Sequence, residues 1–204
     1  MAKGIEENTL MTITEVVEDE IPVADVCVLC GPSHAEEVGR GVPTTIVVGA
    51  KKKSTAEYIR SLFMNEVFRV YISPDILGIE IGGALKNVIA LAAGIADGLG
   101  YGDNTKAALI TRGIFEIAKL GVAMGCSKDT FYGLSGIGDL IVTCTSRHSR
   151  NNRFGFKVGS GTPVLDALRE VGTVEGYYAA ALAFKLAKEN SLELPIIEQC
   201  YGIL

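Results

Sequence analysis

The pattern of hydrophobic and polar positions divides this chain into two parts that differ in character. Up to residue 73, short runs of β-branched and aliphatic residues alternate with amphipathic segments. The runs predict strands at residues 21–30, 43–49 and 67–72, and the segments between them predict helices at 34–39 and 54–64, the second capped by Ser54. Strands and helices that alternate at this spacing are typical of an α/β sheet.

The part of the chain after residue 73 consists almost entirely of helical patterns that glycine-rich turns separate. It predicts a long apolar helix at 75–96 and a second helix that Asn104 caps and that ends near residue 125. Shorter helices are expected from Thr162-Pro163, at 175–190 and from Pro195 onwards. We therefore expect two domains, an α/β domain at residues 1–73 and an all-helical domain at residues 74–204.

The composition and the charge narrow the classes of protein to consider. With 204 residues, of which 48% are hydrophobic, the chain can bury a sizeable core. Its net charge of −5 argues against a broad nucleic-acid surface. Lys86 and Asp97 interrupt the most apolar region, so no membrane span is expected, and the start of the chain has no apolar signal core. These features predict a cytoplasmic protein.

The five cysteines do not have the pattern of a disulfide framework. Cys27 and Cys30 form a C-x-x-C pair, but they lie in a predicted strand, in which residues three apart point to opposite faces. The pair is therefore not expected to share a metal ion or a disulfide, and both cysteines are interpreted as small buried hydrophobic residues.

The most informative candidate for chemistry is Lys86, which lies in an apolar helix among alanine, glycine and aliphatic neighbours. Desolvation disfavours the ammonium form of a lysine and makes its amine a usable proton carrier near neutral pH. The alternative is a lysine whose stem lies on the core while its charged head reaches water. From the chemistry of the residues alone, both interpretations stay open.

Three further segments have the residue types of a binding site. Glycines surround Asp139 in the segment 133–140, where the alternative is an ordinary turn with an aspartate cap. The segment 143–153 combines three arginines with hydroxyl and amide side chains, which favours a phosphate site over a solvated polar loop. The segment 31–35 follows a predicted strand and begins a predicted helix, where free backbone amides can hold a phosphate.

In their order along the chain, these segments resemble the bacterial type of NAD(P)-dependent glycerol-3-phosphate dehydrogenase. The stretch from Gly83 to Asn104 matches the signature of that family at every fixed position, and this signature includes Lys86. Further blocks resemble the family in the right order, namely Lys3-Gly4, Gly31-Pro32-Ser33, Gly136-Ile137-Gly138-Asp139, Ser149-Arg150-Asn151 and Val174-Glu175-Gly176. The resemblance covers essentially the whole chain.

The resemblance implies a reaction and a set of substrate contacts. The reaction interconverts sn-glycerol 3-phosphate and dihydroxyacetone phosphate, and it supplies glycerol 3-phosphate for glycerophospholipid synthesis. Lys86 would be the general acid/base for the secondary hydroxyl of the substrate, and Asp139 would lie beside it and tune it. The other implied substrate contacts are Lys3, Gly31, Ser33, Ser149, Arg150 and Asn151, the last three at the phosphate.

The resemblance also implies a cofactor and a fold. The cofactor would be NAD or NADP, in contact with Lys3, Ala35, Arg150, Thr173 and Glu175. The implied fold is an α/β remnant of a Rossmann-type domain followed by an all-α substrate domain, similar to the helical domain of 6-phosphogluconate dehydrogenase. A homodimer is compatible with this family.

The chain departs from the family at its cofactor end, because no G-x-G-x-x-G follows a predicted strand. Family members carry roughly a hundred further residues before this region, about one domain, and continue beyond Leu204. We therefore expect an internal fragment that has little or no dehydrogenase activity by itself. Two alternatives stay open, a β-hydroxyacid-type dehydrogenase with a carboxylate site and a non-catalytic helical dimerisation module.

Overall fold

The computed structural model describes residues 2–204, and its sheet lies in the first part of the chain. Three strands form the sheet in the order β1-β2-β3, with β1 antiparallel to β2 and β2 parallel to β3. The strands are β1 (Cys27–Cys30), β2 (Thr44–Ala50) and β3 (Phe68–Ser73), and the helices before and between them are α1 (Ile13–Glu20), α2 (Ala35–Val38) and α3 (Lys53–Phe63).

The sheet is covered on both faces, and the two cysteines of β1 show how. Cys27 packs with Ile46 and Val48 in the cluster that α3 covers, whereas Cys30 packs with Ile79 on the other face. The two cysteines therefore point to opposite faces, as the C-x-x-C pattern in a strand predicts. All five cysteines are free thiols.

Every described element after β3 is helical. These elements are α4 (Ile76–Gly98), α5 (Asp103–Ala123), α6 (Lys128–Phe131), a π-helix (Leu134–Gly138), α7 (Asp139–Thr145), α8 (Arg150–Gly159), α9 (Val164–Val171), α10 (Glu175–Glu189) and α11 (Pro195–Ile203). The predicted order, a small α/β unit followed by helices, matches this arrangement. Pro195 is the first residue of α11, as predicted.

Helix α4 is the centre of the helical part, and the main hydrophobic core forms around it. By length and composition alone, α4 could cross a membrane, but 89% of its most apolar window is buried inside the protein. Asp75 caps its first turn, since the carboxylate accepts a hydrogen bond from the Gly78 amide at 3.0 Å. The same carboxylate accepts hydrogen bonds from the Ser127 amide and the Thr130 hydroxyl, which fix the start of α6 to this end of α4.

The crossing of α4 and α8 depends on glycines in both helices. A Cβ atom on any of the four glycines would lie 2.1–2.3 Å from a backbone oxygen of the opposite helix. The glycines and the oxygens that they face are Gly94 with Asn152, Gly98 with Phe156, Gly155 with Leu91 and Gly159 with Ile95. The two backbones are therefore in direct contact, and these contacts fix the distance between α4 and α8 and the point at which they cross.

Helix α1 and the segment before it rest on α4. The carboxylate of Glu80, buried in α4, accepts hydrogen bonds from the backbone amide of Thr14 at 2.9 Å and from its hydroxyl at 2.5 Å. Thr12 and Glu15 form a capping box at the start of α1. These contacts anchor the segment that carries Lys3.

Several predicted element ends differ from the structure. Residues 21–26 are not part of β1: Pro22 removes an amide donor, and the side chains of Ile21 and Val23 are exposed. Ser54 does not cap α3, since the backbone turns into the helix at Lys52, and Asn104 lies inside α5 behind the N-cap Gly102. Pro163 is the N-cap of α9 because its ψ of 141° is extended.

Candidate active site

Lys86 and Asp139 form a buried ion pair between α4 and α7. The ammonium Nζ of Lys86 lies 2.5 Å from Oδ1 of Asp139, and the two residues are 6% and 2% exposed. Nζ also donates to the hydroxyl of Thr143 at 2.8 Å, and this hydroxyl donates to the Asp139 carbonyl at 2.5 Å. The charged end of Lys86 therefore does not reach water, and the alternative interpretation of a lysine with a solvated head is wrong.

The glycines around Asp139 bring α7 against α4. A Cβ atom on Gly136, in the π-helix, would lie 2.1 Å from the Phe131 carbonyl oxygen, and one on Gly82 of α4 would lie 2.9 Å from the Ser135 carbonyl oxygen. Only glycine allows these approaches. Asp139 follows the π-helix as the first residue of α7, so the predicted turn at 133–140 is a helical junction. Its carboxylate binds Lys86, and no cap forms.

The surroundings of the pair act on the pKa of Lys86 in opposite directions. Burial lowers the pKa of Lys86, the carboxylate of Asp139 raises it, and the nearby positive charge of Lys3 lowers it further. Burial is the largest of these effects, so the pKa lies below its ordinary value. An amine with this property can both accept and release a proton, which is what general acid/base catalysis requires.

The second carboxylate oxygen of Asp139 faces two other groups. Its Oδ2 atom lies 4.0 Å from Nζ of Lys3 and 3.5 Å from Sγ of Cys30, whose thiol donates to it. Burial, followed by the negative charge of Asp139, raises the pKa of the Cys30 thiol to about 12, so the thiol stays protonated. Lys3 therefore lies close to the Lys86–Asp139 pair.

A chain of amide and carboxylate groups begins at Asn87, the residue after Lys86, and joins α4 to α8 and α10. Asn87 donates from Nδ2 to the Glu175 carboxylate at 2.8 Å, and its Oδ1 accepts from Nδ2 of Asn151 at 2.9 Å. The Oδ1 of Asn151 in turn accepts from the Gly176 amide at 2.8 Å. Three helices, α4, α8 and α10, are joined at one buried point beside Lys86.

The remaining predicted substrate residues lie on two turns. Gly31 directly follows β1 and has a φ of +142°, and a Cβ atom there would lie 3.0 Å from the Cα of Ile46. Its carbonyl accepts a hydrogen bond from the Ser33 hydroxyl. Ser149 caps α8 through the Asn152 amide at 3.2 Å, and the exposed Arg150 begins this helix. The segment 143–153 is therefore the end of α7, a turn and the first part of α8.

Three of the predicted cofactor residues line one cavity. Lys3, Thr173 and Glu175 surround a cavity of about 160 Å³ together with Ala84 and Asn87. Ala35 and Arg150 lie elsewhere, at the first residues of α2 and α8. Among residues 2–204, no cluster of three or more His, Cys, Asp or Glu side chains could hold a metal ion.

Two side chains that are not among the predicted site residues, Thr143 and Cys30, form hydrogen bonds with the pair, and a third, Asn87, joins Glu175 and Asn151 next to Lys86 in the chain. Thr143 lies four residues after Asp139, a spacing that puts both on one helix face, but this signal required α7 to be predicted. Asn87 is part of the family signature and follows Lys86 directly. Cys30 was interpreted only as a small hydrophobic residue, and no sequence signal pairs it with Asp139.

Both parts of the chain match families of the same dehydrogenase. Residues 75–204 match the family "NAD-dependent glycerol-3-phosphate dehydrogenase C-terminus", and residues 1–56 match the corresponding N-terminus family. The chain is 64% identical to a glycerol-3-phosphate dehydrogenase (NAD(P)+) of Agathobacter rectalis and 60% identical to one of Fusobacterium nucleatum. It is matched over its full length, but it spans only 61% and 62% of these two relatives.

Solved structures of glycerol-3-phosphate dehydrogenases have a fold similar to that of this chain. A crystal structure of glycerol-3-phosphate dehydrogenase from Coxiella burnetii has a TM-score of 0.94 at 36% identity, over 99% of this chain and 62% of that one. The enzyme from Saccharomyces cerevisiae has a TM-score of 0.87 at 25% identity, over 98% and 62%. The predicted fold class, a Rossmann-type remnant followed by a helical domain, is confirmed.

Proposed function

Because this chain belongs to the NAD-dependent glycerol-3-phosphate dehydrogenase family, we propose that it forms the substrate-binding and proton-transferring part of such a dehydrogenase. The reaction interconverts sn-glycerol 3-phosphate and dihydroxyacetone phosphate. The observation that supports this proposal most strongly is the Lys86–Asp139 pair, which is buried, joined at 2.5 Å and has a lysine pKa below its ordinary value.

The pair supplies the proton transfer that the reaction needs. In the direction of oxidation, the lone pair of the neutral Lys86 amine takes the proton from the secondary hydroxyl while the hydride leaves the same carbon. Asp139 then stabilises the ammonium that forms, and Thr143 orients Nζ through its hydroxyl. NAD or NADP, when bound, supplies the nicotinamide that accepts or returns the hydride.

The phosphate of the substrate is assigned to the two turns at Gly31–Ser33 and Ser149–Asn151. Arg150 contributes a permanent positive charge with forked donors. The backbone amides of Arg150 and Asn151 open α8, a ten-residue helix, and have no intrahelical carbonyl partner. The Asn151 side chain is occupied by Asn87 and Gly176, so we assign its backbone amide to the phosphate and its side chain to fixing α8.

The residues that line the 160 Å³ cavity fit one end of a dinucleotide. Lys3, Thr173 and Glu175 provide a cation, a hydroxyl and a carboxylate next to Ala84, which suits a ligand with amide and hydroxyl groups. Ala35 and Arg150 would hold the cofactor from α2 and α8. We also assign residues 1–73 to part of a dinucleotide-binding domain and residues 74–204 to the substrate domain. The sheet before Ser73 and the helices after it support this division.

The cellular setting belongs to the same proposal. We assign the protein to the cytoplasm, to the supply of glycerol 3-phosphate for glycerophospholipid synthesis and to a homodimer. Support for the homodimer comes from exposed large side chains on α10 and α11, which include Tyr178, Tyr201 and Ile203. Sedimentation at several concentrations would test it, and a monomer at all of them would contradict it.

A chimera tests the reaction, because the chain spans about three fifths of its relatives. In this chimera, the chain replaces the matching 61% of the Agathobacter rectalis relative and keeps that protein's remaining residues. We expect NAD(P)H oxidation with dihydroxyacetone phosphate, and a loss of about 10²-fold or more in kcat for Lys86→Ala. Lys106→Ala, which removes a lysine paired with Asp97 outside the site, is the matched control.

Three results would contradict parts of this proposal. Activity of the Lys86→Ala chimera near that of the unchanged chimera would remove Lys86 from the reaction. A preference for 3-hydroxy acids over the phosphate esters would favour a β-hydroxyacid-type dehydrogenase. Turnover by the 204-residue chain alone at the rate of the chimera would contradict our expectation that this part has little activity by itself.

A further inference from the structure

Two histidine rings connect the two turns to which the substrate phosphate is assigned. His34 follows Ser33, and His148 precedes Ser149. Their ring centroids lie 5.8 Å apart at an interplanar angle of 53°, a tilted aromatic contact. A third side chain is close, since Nδ1 of His148 lies 4.0 Å from the carboxylate of the exposed Glu36.

Each turn is fixed to its own element by its own hydrogen bonds. In the first turn, the Ser33 hydroxyl donates to the Gly31 carbonyl at 3.0 Å, and Gly31 directly follows β1. In the second, the His148 amide donates to the Ser146 hydroxyl at 3.1 Å, and the Ser149 amide donates to the Ser146 carbonyl at 3.2 Å. The ring contact is thus positioned to set the distance between two turns that are otherwise held by different parts of the fold.

The Nε2 atom of His34 makes no hydrogen bond within the described part of the chain that would account for the position of its ring. The Nε2 atom of His34 is buried and has no hydrogen-bond partner among residues 2–204. A buried polar atom without a partner is unfavourable by itself, so hydrogen bonding through Nε2 does not explain the position of the ring. The ring does, however, pack against the ring of His148 in the tilted contact described above.

We propose that His34 and His148 are positioning residues that hold the Ser33 turn and the Ser149–Asn151 turn at the spacing that a substrate phosphate requires. This inference rests on the proposed function, because it takes the phosphate to bind between these turns. A flat ring on each side is the essential feature. Neither the charge of the histidines nor their ability to form hydrogen bonds is needed.

The test uses the chimera with the Agathobacter rectalis relative and the KM for dihydroxyacetone phosphate. We expect His34→Ala and His148→Ala each to raise KM by about 5-fold or more while kcat changes less than KM. The double variant should be no worse than the poorer single variant, because both remove the same contact. His34→Phe and His148→Phe keep a ring and should retain most of the affinity. Glu36→Gln is the control and should leave KM unchanged, since the pair is exposed.

The outcomes separate this inference from the proposed function. If the unchanged chimera does not turn over dihydroxyacetone phosphate, the proposed function fails. If it does, KM effects that multiply in the double alanine variant, or phenylalanine variants as poor as the alanine variants, overturn the ring contact. The coupling between the rings can also be measured without any turnover. It follows from the free energies of unfolding of four forms of the 204-residue chain: the unchanged chain, His34→Ala, His148→Ala and the double variant. Absence of coupling there would also overturn the inference.

Discussion

The Asp139 carboxylate holds the Lys86 ammonium at 2.5 Å, although both residues are almost completely buried. The desolvation penalty of such a pair is offset only when further hydrogen bonds satisfy its remaining atoms. Thr143 provides one for Nζ, and the Cys30 thiol provides one for Oδ2 of Asp139. Burial of this ion pair is therefore unfavourable by itself, and hydrogen bonds from the surrounding fold offset the desolvation penalty. Buried ionisable pairs with shifted pKa values are typical of catalytic sites.

Removal of one partner of this pair should destabilise the fold. Lys86→Met in the 204-residue chain leaves the Asp139 carboxylate buried, with the Cys30 thiol at 3.5 Å and the charge of Lys3 at 4.0 Å but without its close ionic partner. We expect the free energy of unfolding, measured with urea, to fall by about 3 kcal/mol. The double variant Lys86→Met with Asp139→Leu removes both charges and should recover part of this loss.

A partly exposed ion pair provides the comparison for that experiment. Lys106 and Asp97 lie 3.0 Å apart with side chains that are 23% and 24% exposed. Lys106→Met should lower the free energy of unfolding by less than about 1 kcal/mol. Equal losses for Lys86→Met and Lys106→Met would show that burial of the Lys86–Asp139 pair has no energetic consequence.

Buried thiols should make the chain lose stability at alkaline pH. Burial raises the pKa of four thiols from 9.0 to about 12, namely those of Cys30, Cys126, Cys144 and Cys200. Above pH 9 the unfolded chain releases these protons while the folded chain keeps them, so the free energy of unfolding falls as pH rises towards 12. The lowered pKa of Lys86 acts in the opposite direction, because the folded state releases that proton first, but this one lysine opposes four thiols.

One thiol can be removed to measure its share of this pH dependence. Cys200→Ala should reduce the slope of unfolding free energy against pH by up to about 1.4 kcal/mol per pH unit above pH 9. Guanidinium or urea titrations between pH 8 and about 10.5 give the slopes of both proteins. An unchanged slope would mean that the Cys200 thiol ionises as readily in the folded chain as in the unfolded one.

The contact between α4 and α8 should not tolerate a methyl group. In Gly155→Ala, the new Cβ would lie 2.1 Å from the Leu91 carbonyl oxygen, which cannot move without distorting α4. We expect a loss of at least about 2 kcal/mol in the free energy of unfolding. Gly202→Ala is the control: nothing lies within 4 Å of its Cβ position in α11, so the change should be neutral or stabilising. Similar effects of both substitutions would contradict the close crossing.

The elements that the sequence predicts well are those with long apolar patterns. The predicted helix at 75–96 ends within two residues of α4, and the predicted strands at 43–49 and 67–72 lie within one residue of β2 and β3 at either end. Helix α8 was not predicted, because its buried face consists of Asn151, Phe154 and Gly155 and has no apolar periodicity. In the sequence, the glycines of α8 indicate turns, whereas in the structure they allow α8 to contact the backbone of α4.

The candidate site was predictable residue by residue but not as a network. The residue types alone single out Lys86, Asp139 and the segments 31–35 and 143–153 but leave alternatives open, and the family resemblance assigns a role to each. The contacts of Asn87 and Lys86 join residues that are 53 to 88 positions apart in sequence, and local patterns contain no information about such pairs. The sequence therefore offers candidate residues, and only the fold shows which of their atoms share hydrogen bonds.

The stability of the fold should depend on the side-chain amide of Asn87, because this amide both donates and accepts a hydrogen bond. Its Nδ2 donates to Glu175 and its Oδ1 accepts from Asn151, so Asn87→Asp keeps the acceptor but places a second carboxylate against Glu175. We expect the free energy of unfolding at pH 7 to fall by about 1–3 kcal/mol.

The pH dependence of that loss distinguishes the two interactions of Asn87. In Asn87→Asp, repulsion raises the pKa of the carboxylate pair in the folded state, so the lost stability should return as pH falls from 7 towards 5. Asn87→Leu leaves Glu175 and Asn151 without their partner but adds no charge, so its deficit should stay nearly constant over this range. Urea denaturation of both variants and the unchanged chain at the two pH values gives the comparison. A pH-independent loss in Asn87→Asp would show that the carboxylate of Glu175 does not face residue 87 in the folded chain.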